Sequence, residues 1–141
     1  MILDKDLAFS EAQTIPTGAT TASTNYVDLG AVRDIGTGED MEFVVLITTA
    51  LAGAGTVAVV VQTDDNSAFS SPTTAQTLGT FAAASPAGTK ITAKVQPEAI
   101  VERYVRLAFT SGVLSAGAAS AYLAHGVDHV RNYADAITIT G

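Results

Sequence analysis

The chain has no cysteine and no tryptophan, only 15% charged residues, and seven basic residues against fourteen acidic ones. Without cysteine there is neither a disulfide framework nor a thiol nucleophile, although this does not fix the compartment. The net charge of −7, with the few basic residues scattered, leaves no electrostatic footprint for a phosphate backbone, so nucleic acid is not an expected partner. The opening Met1-Ile2-Leu3-Asp4-Lys5-Asp6 puts acids where a secretion signal needs bases. Phosphate cradles are missing as well: Gly36-Thr37-Gly38 lacks the third glycine of a dinucleotide loop, and no Walker-type lysine follows a glycine-rich turn. There is no G-x-S-x-G elbow, and Glu39, Asp40 and Glu42 read as a solvated turn before a strand. These absences lead us to expect neither an enzyme nor a cofactor.

What is present is enough to fold. Leu, Ile, Val and Phe make up 36 of 141 residues, above the range in which chains stay disordered, and the length suits one domain. Phe43 to Val61 is an uncharged run of 19 residues, long enough to cross a bilayer as a helix. Its middle holds Gly53-Ala54-Gly55, its flanks are β-branched, and no cluster of Lys and Arg borders it, so two strands and a turn explain it better than a membrane span.

Apolar residues alternate with period two along much of the chain, most cleanly at Ile91, Ala93 and Val95 between Lys90, Thr92, Lys94 and Gln96. In Glu42 to Leu51, Phe43, Val45, Ile47 and Leu51 share one face while Val44, Leu46 and Ala50 share the other, as expected of a strand covered on both sides. Val57, Val59 and Val61 repeat the stripe, and the short glycine link predicts that the two strands pair as a hairpin. Further strands are expected at Tyr26 to Leu29, Thr74 to Phe81, Arg103 to Thr110 and Ala118 to Val127. The expectation is an all-β fold, an antiparallel β-sandwich of the jelly-roll kind over residues 26–130, with extended arms at both ends. Residues 1–25 form an N-terminal arm or one short helix, with Leu3, Leu7 and Ala8 on one side, and residues 131–141 form a C-terminal arm.

Few side chains invite chemistry. His125 and His129 have a spacing that on a helix could present two imidazoles to zinc, but in a strand four residues span about 13 Å, too far for one ion. They read as surface or interface residues. Asp64-Asp65-Asn66-Ser67 could offer oxygen ligands to calcium, yet lacks EF-hand spacing, and Asp and Asn at strand ends more often bond local backbone N–H groups. Along Glu102-Arg103-Tyr104-Val105-Arg106-Leu107, Tyr104 and Arg106 share one face and Val105, Leu107 and Phe109 the other, so one face is core and the other is solvated or a contact surface. Near the end, Ile137-Thr138-Ile139-Thr140 reads as a short strand, either the last of the domain's own sheet or a frayed tail, or else a segment adding to a neighbour's sheet edge, with Tyr133 just before it. The candidate interface residues are therefore Leu3, Leu7, Tyr104, Arg106, His125, His129, Tyr133, Ile137 and Ile139.

Several segments taken together resemble a known family. These are Met1-Ile2-Leu3-Asp4-Lys5; Val27-Asp28-Leu29-Gly30 with Arg33-Asp34-Ile35-Gly36; Gln62-Thr63-Asp64-Asp65-Asn66 running into Phe69-Ser70-Ser71-Pro72-Thr73; and Arg103-Tyr104-Val105-Arg106-Leu107. In order and spacing the combination is similar to the capsid cement, or decoration, proteins of tailed bacteriophages, of the Bordetella-phage type. The resemblance implies a jelly-roll protein on the outer surface of the virion, made in the host cytoplasm, that binds the major capsid protein and ties capsomers together as a homo-oligomer. It implies no catalysis and no cofactor, and it agrees with the expectation, drawn above from charge and from the Phe43 to Val61 run, of no nucleic acid and no membrane. The rival expectation is a carbohydrate-binding jelly-roll module, weakened by the missing Trp and scarce aromatics that sugar rings use as stacking platforms.

Overall fold

The computed structural model describes residues 5–31 and 41–125. A single 3-10 turn, Lys5–Leu7, leads into β1 (Ala8–Thr14), β2 (Thr20–Ala22) and β3 (Val27–Asp28). Then follow β4 (Met41–Ala52), β5 (Val57–Asp64), β6 (Thr73–Phe81), β7 (Lys90–Lys94), a second 3-10 turn at Pro97–Ala99, β8 (Tyr104–Ser111) and β9 (Ala116–His125). They build two antiparallel sheets, one ordered β1-β9-β4-β7 and the other β2-β8-β5-β6, with β3 also on β8. The β1–β2, β4–β5, β6–β7 and β8–β9 links each pass from one sheet to the other, whereas β5 and β6 are sequential neighbours in one sheet. That order is a β-sandwich with jelly-roll connectivity, as the sequence pattern and the resemblance led us to expect. No helix among the described residues is long and apolar enough to cross a membrane.

The period-two stripes meet in the core. Phe43, Val45, Ile47 and Leu51 of β4 face Val57, Val59 and Val61 of β5 and Val105, Leu107 and Phe109 of β8, all buried. Phe9 closes one side, its ring 6.0 Å from that of Phe43. β9 contributes Ala119 and Ala121 opposite Ile47 and Val45, so small residues in mid-sheet make room for large ones on the facing sheet. β4 is buried on both faces at its start, where Glu42 and Val44 are 5% and 4% exposed, and open on its outer face at Thr48 and Ala50.

Two expectations need correction. β4 and β5 do not form a hairpin: β4 pairs with β7 and β9, and β5 with β6 and β8. Two apolar stripes laid side by side in one sheet would leave the core half empty; placed on facing sheets they bury each other. The Gly53-Ala54-Gly55 link therefore crosses the end of the sandwich against the β8–β9 link, with the Gly55 N–H donating to the Val113 carbonyl at 2.9 Å. Gly53 has φ +107°, and a Cβ on Gly55 would lie 2.5 Å from the Val113 nitrogen, so both glycines serve a close backbone approach.

Residues 8–14 are likewise neither an arm nor a helix. They pair with β9 as an edge strand, Ala8 opposite Tyr122 and Thr14 opposite Ala118, with two register shifts and Ala12 at φ +46°. Among the described residues the expected helix is realised only in the Lys5–Leu7 turn, because burying Phe9 and completing the ladder on β9 outweighs it.

Candidate functional site

The outer face of the second sheet is set by alternation. On β8, Val105, Leu107 and Phe109 point inward, leaving Tyr104, Arg106, Ala108 and Thr110 outside. Cross-strand pairing places Asp64, Gln62, Val60 and Ala58 of β5 beside them, then Thr74, Thr77 and Thr80 of β6, with Thr20 and Ala22 of β2 on the other flank. Of these residues only Arg106 and Asp64, both at one end, are charged. Thr20 and Thr110 share a hydroxyl hydrogen bond of 2.9 Å, Ala108 is buried, and Ala58 and Val60 are half-buried.

Charge and aromatic rings gather at one end. Tyr26, a residue 46% exposed, makes T-shaped ring contacts with Phe69 at 5.8 Å and with Tyr104 at 5.7 Å. Arg106 lies over the Phe69 ring at 4.3 Å and donates through Nε to Gln62 Oε1 at 2.9 Å; Arg103 lies 5.0 Å from the Tyr104 centroid. Arg103 also grips Asp28 with two parallel bonds, Nε to Oδ1 at 2.7 Å and Nη2 to Oδ2 at 2.8 Å. That guanidinium, helped by the Gly30 N–H, lowers the Asp28 carboxyl to a pKa of about 2, and Asp28 in turn raises that of Arg103. Burial lowers the Arg106 pKa.

The 64–71 loop brings Phe69 here. The buried Asp64 accepts the Asn66 N–H on Oδ1 at 3.0 Å and the Ser71 N–H on Oδ2 at 2.9 Å, while Asn66 accepts the Ala68 N–H at 2.7 Å. Burial alone would raise the Asp64 carboxyl, but the N–H donors hold it below its usual value. Asp65 moves upward, through its hydrogen bond to Asp64 and that neighbour's charge. Both Asp64 oxygens thus close a turn. Among the described residues no group of three His, Asp or Glu side chains is placed to hold a metal ion.

Of the candidate interface residues, Tyr104 and Arg106 lie together on this face, half-buried. Leu7 is half-buried and packs against the core, and His125 is exposed at the end of β9, opposite Met41. Leu3, His129, Tyr133, Ile137 and Ile139 lie outside the described residues, as does the expected C-terminal arm. Sequence reasoning missed Tyr26, Phe69 and the Asp28–Arg103 pair as parts of one cluster; a Phe inside an Asp/Asn/Ser turn was the available signal.

With this geometry in place, comparison with known proteins adds one finding. The Bbp16 family model matches residues 9–123, which covers both sheets, and no curated protein matches the chain.

Proposed function

Because the chain belongs to the Bbp16 family, a family of bacteriophage proteins, we propose that it is a structural protein of the phage particle, one that binds the outer surface of the assembled shell and bridges neighbouring capsomers. The observation that carries this reading is the uncharged Thr/Ala/Val part of the outer face of the β2-β8-β5-β6 sheet, away from Arg106 and Asp64. Docking such a face strips water from hydroxyls and methyls and not from charges, which keeps the desolvation cost low. Its size also fits. Four strands of this length span roughly 25 Å by 15–20 Å, less than one side of a standard stable interface, so a single contact is weak and many copies act together.

In this role the partners are the major capsid protein and other copies of the chain. Packed DNA pushes outward, and each bridge adds contact area that must be broken before the shell opens. The chemistry is association alone, without a catalytic step, a cofactor, nucleic acid or a membrane. The net charge of −7 keeps free copies apart and soluble before assembly.

The test is to add purified protein to DNA-filled shells that lack it and to follow DNA release on heating and osmotic shock. Decorated shells should hold their DNA to higher temperature. Equal release with and without the protein overturns the reading.

A further inference from the structure

We propose that the cleft beside Tyr26 binds a saccharide, with one sugar ring stacked on the tyrosine. The cleft, about 360 Å³, lies between the Lys5–Leu7 turn, the start of β1 and the link from β2 to β3, and is lined by Lys5, Asp6, Ala8, Thr24, Asn25 and Tyr26. That volume is at the small end of the range for ligand sites, about 300–1,000 Å³, and suits one or two sugar rings better than a larger ligand.

Three features support this choice of ligand. The first is a rigid aromatic platform. Of the chain's four Tyr and five Phe, Tyr26 lines the cleft, and its ring is braced by T-shaped contacts with Phe69 and Tyr104 outside the lining; Phe69 holds a φ of +49°, a strained conformation for a bulky residue, while packed against Tyr26.

The second is preorganised walls. The Asn25 N–H donates to the Phe9 carbonyl at 2.9 Å and its Nδ2 to the Ala8 carbonyl at 3.2 Å; Thr24 donates through N and Oγ1 to Gln13 Oε1 at 3.0 and 3.1 Å. These bonds lash the β2–β3 link to β1, so little ordering is left to be done on binding.

The third is the polar complement around the platform. Lys5 brings an ammonium donor, Asp6 a carboxylate acceptor, and Asn25, whose Nδ2 is committed to Ala8, an amide oxygen acceptor. An apolar ring face above hydroxyls that both donate and accept is the chemistry of a sugar. The inference does not rest on shell binding and is tested on the free chain.

The experiment is an NMR titration of the full-length protein with glucose, galactose, mannose and N-acetylglucosamine, with glycerol as the polyol control. At least one sugar should shift the backbone amides of Lys5, Thr24, Asn25 and Tyr26 with a dissociation constant of about 1–10 mM, and glycerol should not. Tyr26→Ala should weaken that binding about tenfold or more, Tyr26→Phe should keep it, and Lys5→Ala should weaken it a few-fold. Lys5→Ala, at an exposed position, keeps the test decisive if Tyr26→Ala misfolds. No shift with any of the sugars, equal shifts with glycerol, or unchanged binding by both Tyr26→Ala and Lys5→Ala overturns the proposal.

Discussion

At the scale of single residues, the carboxylates at the aromatic corner have opposite pH signatures. The Asp28 pKa is lowered to about 2 by Arg103 and Gly30. A depressed carboxyl stabilises the fold above its unfolded pKa, near 4, and that contribution is lost as pH falls toward 2. Asp28→Asn should therefore flatten the fall in melting temperature between about pH 4 and pH 2. Asp65 is shifted the other way by Asp64, so its ionisation opposes folding as pH rises above about 4. Asp65→Asn should raise the melting temperature at pH 7 and do nothing near pH 3; thermal melts of both variants across pH check the two signs. Phe69 tests the corner without titration. It is 7% exposed beneath Tyr26 and Arg106, and Phe69→Ala should cost about 2–4 kcal/mol in a urea melt, because the ring is lost while the strained backbone remains.

At the scale of elements, the links between strands decide the architecture. The β4–β5 link and the β8–β9 link touch backbone to backbone, with the Gly55 N–H on Val113 and the Gly112 N–H on the Thr56 carbonyl at 2.9 Å. Gly55→Ala should destabilise by about 1–3 kcal/mol, since the added methyl meets main chain that cannot step aside. Gly18→Ala, at φ +59° with nothing within 4 Å of the new Cβ, should cost only about 1 kcal/mol. Comparing the two in chemical denaturation separates close packing from backbone conformation. The edge strands show a related economy: β7 carries Lys90 and Lys94 at its ends, and β1 is broken by register shifts, both of which discourage edge-to-edge pairing between copies.

At the scale of the whole molecule, the Thr/Ala/Val part of the outer face of the β2-β8-β5-β6 sheet is a surface without charge on a chain of net charge −7. If that face docks on the shell, the double variant Thr77→Lys with Thr110→Lys should keep its melting temperature within a degree or two, since both positions are exposed, and yet lose shell binding by about tenfold or more. Sedimentation of protein with shells gives the binding readout. Loss of binding together with loss of the fold would assign these threonines a structural role instead.

The sequence by itself determined the class of fold and most of the strands. Alternation with period two and β-branched runs are local properties of an extended backbone, so Phe43, Val45 and Ile47, or Tyr104 against Val105, could be assigned to faces before any partner strand was known. The preference of Asp64 and Asn66 for nearby N–H groups was legible for the same reason, because both partners lie within a few residues. Which strand lies beside which was decided only in three dimensions. Ala8 pairs with Tyr122, β4 and β5 separate onto facing sheets, and Tyr26, Phe69 and Tyr104 converge from three distant segments. Those outcomes depend on burying two apolar stripes against each other while completing every ladder of hydrogen bonds, a condition on the whole chain that no window of sequence contains.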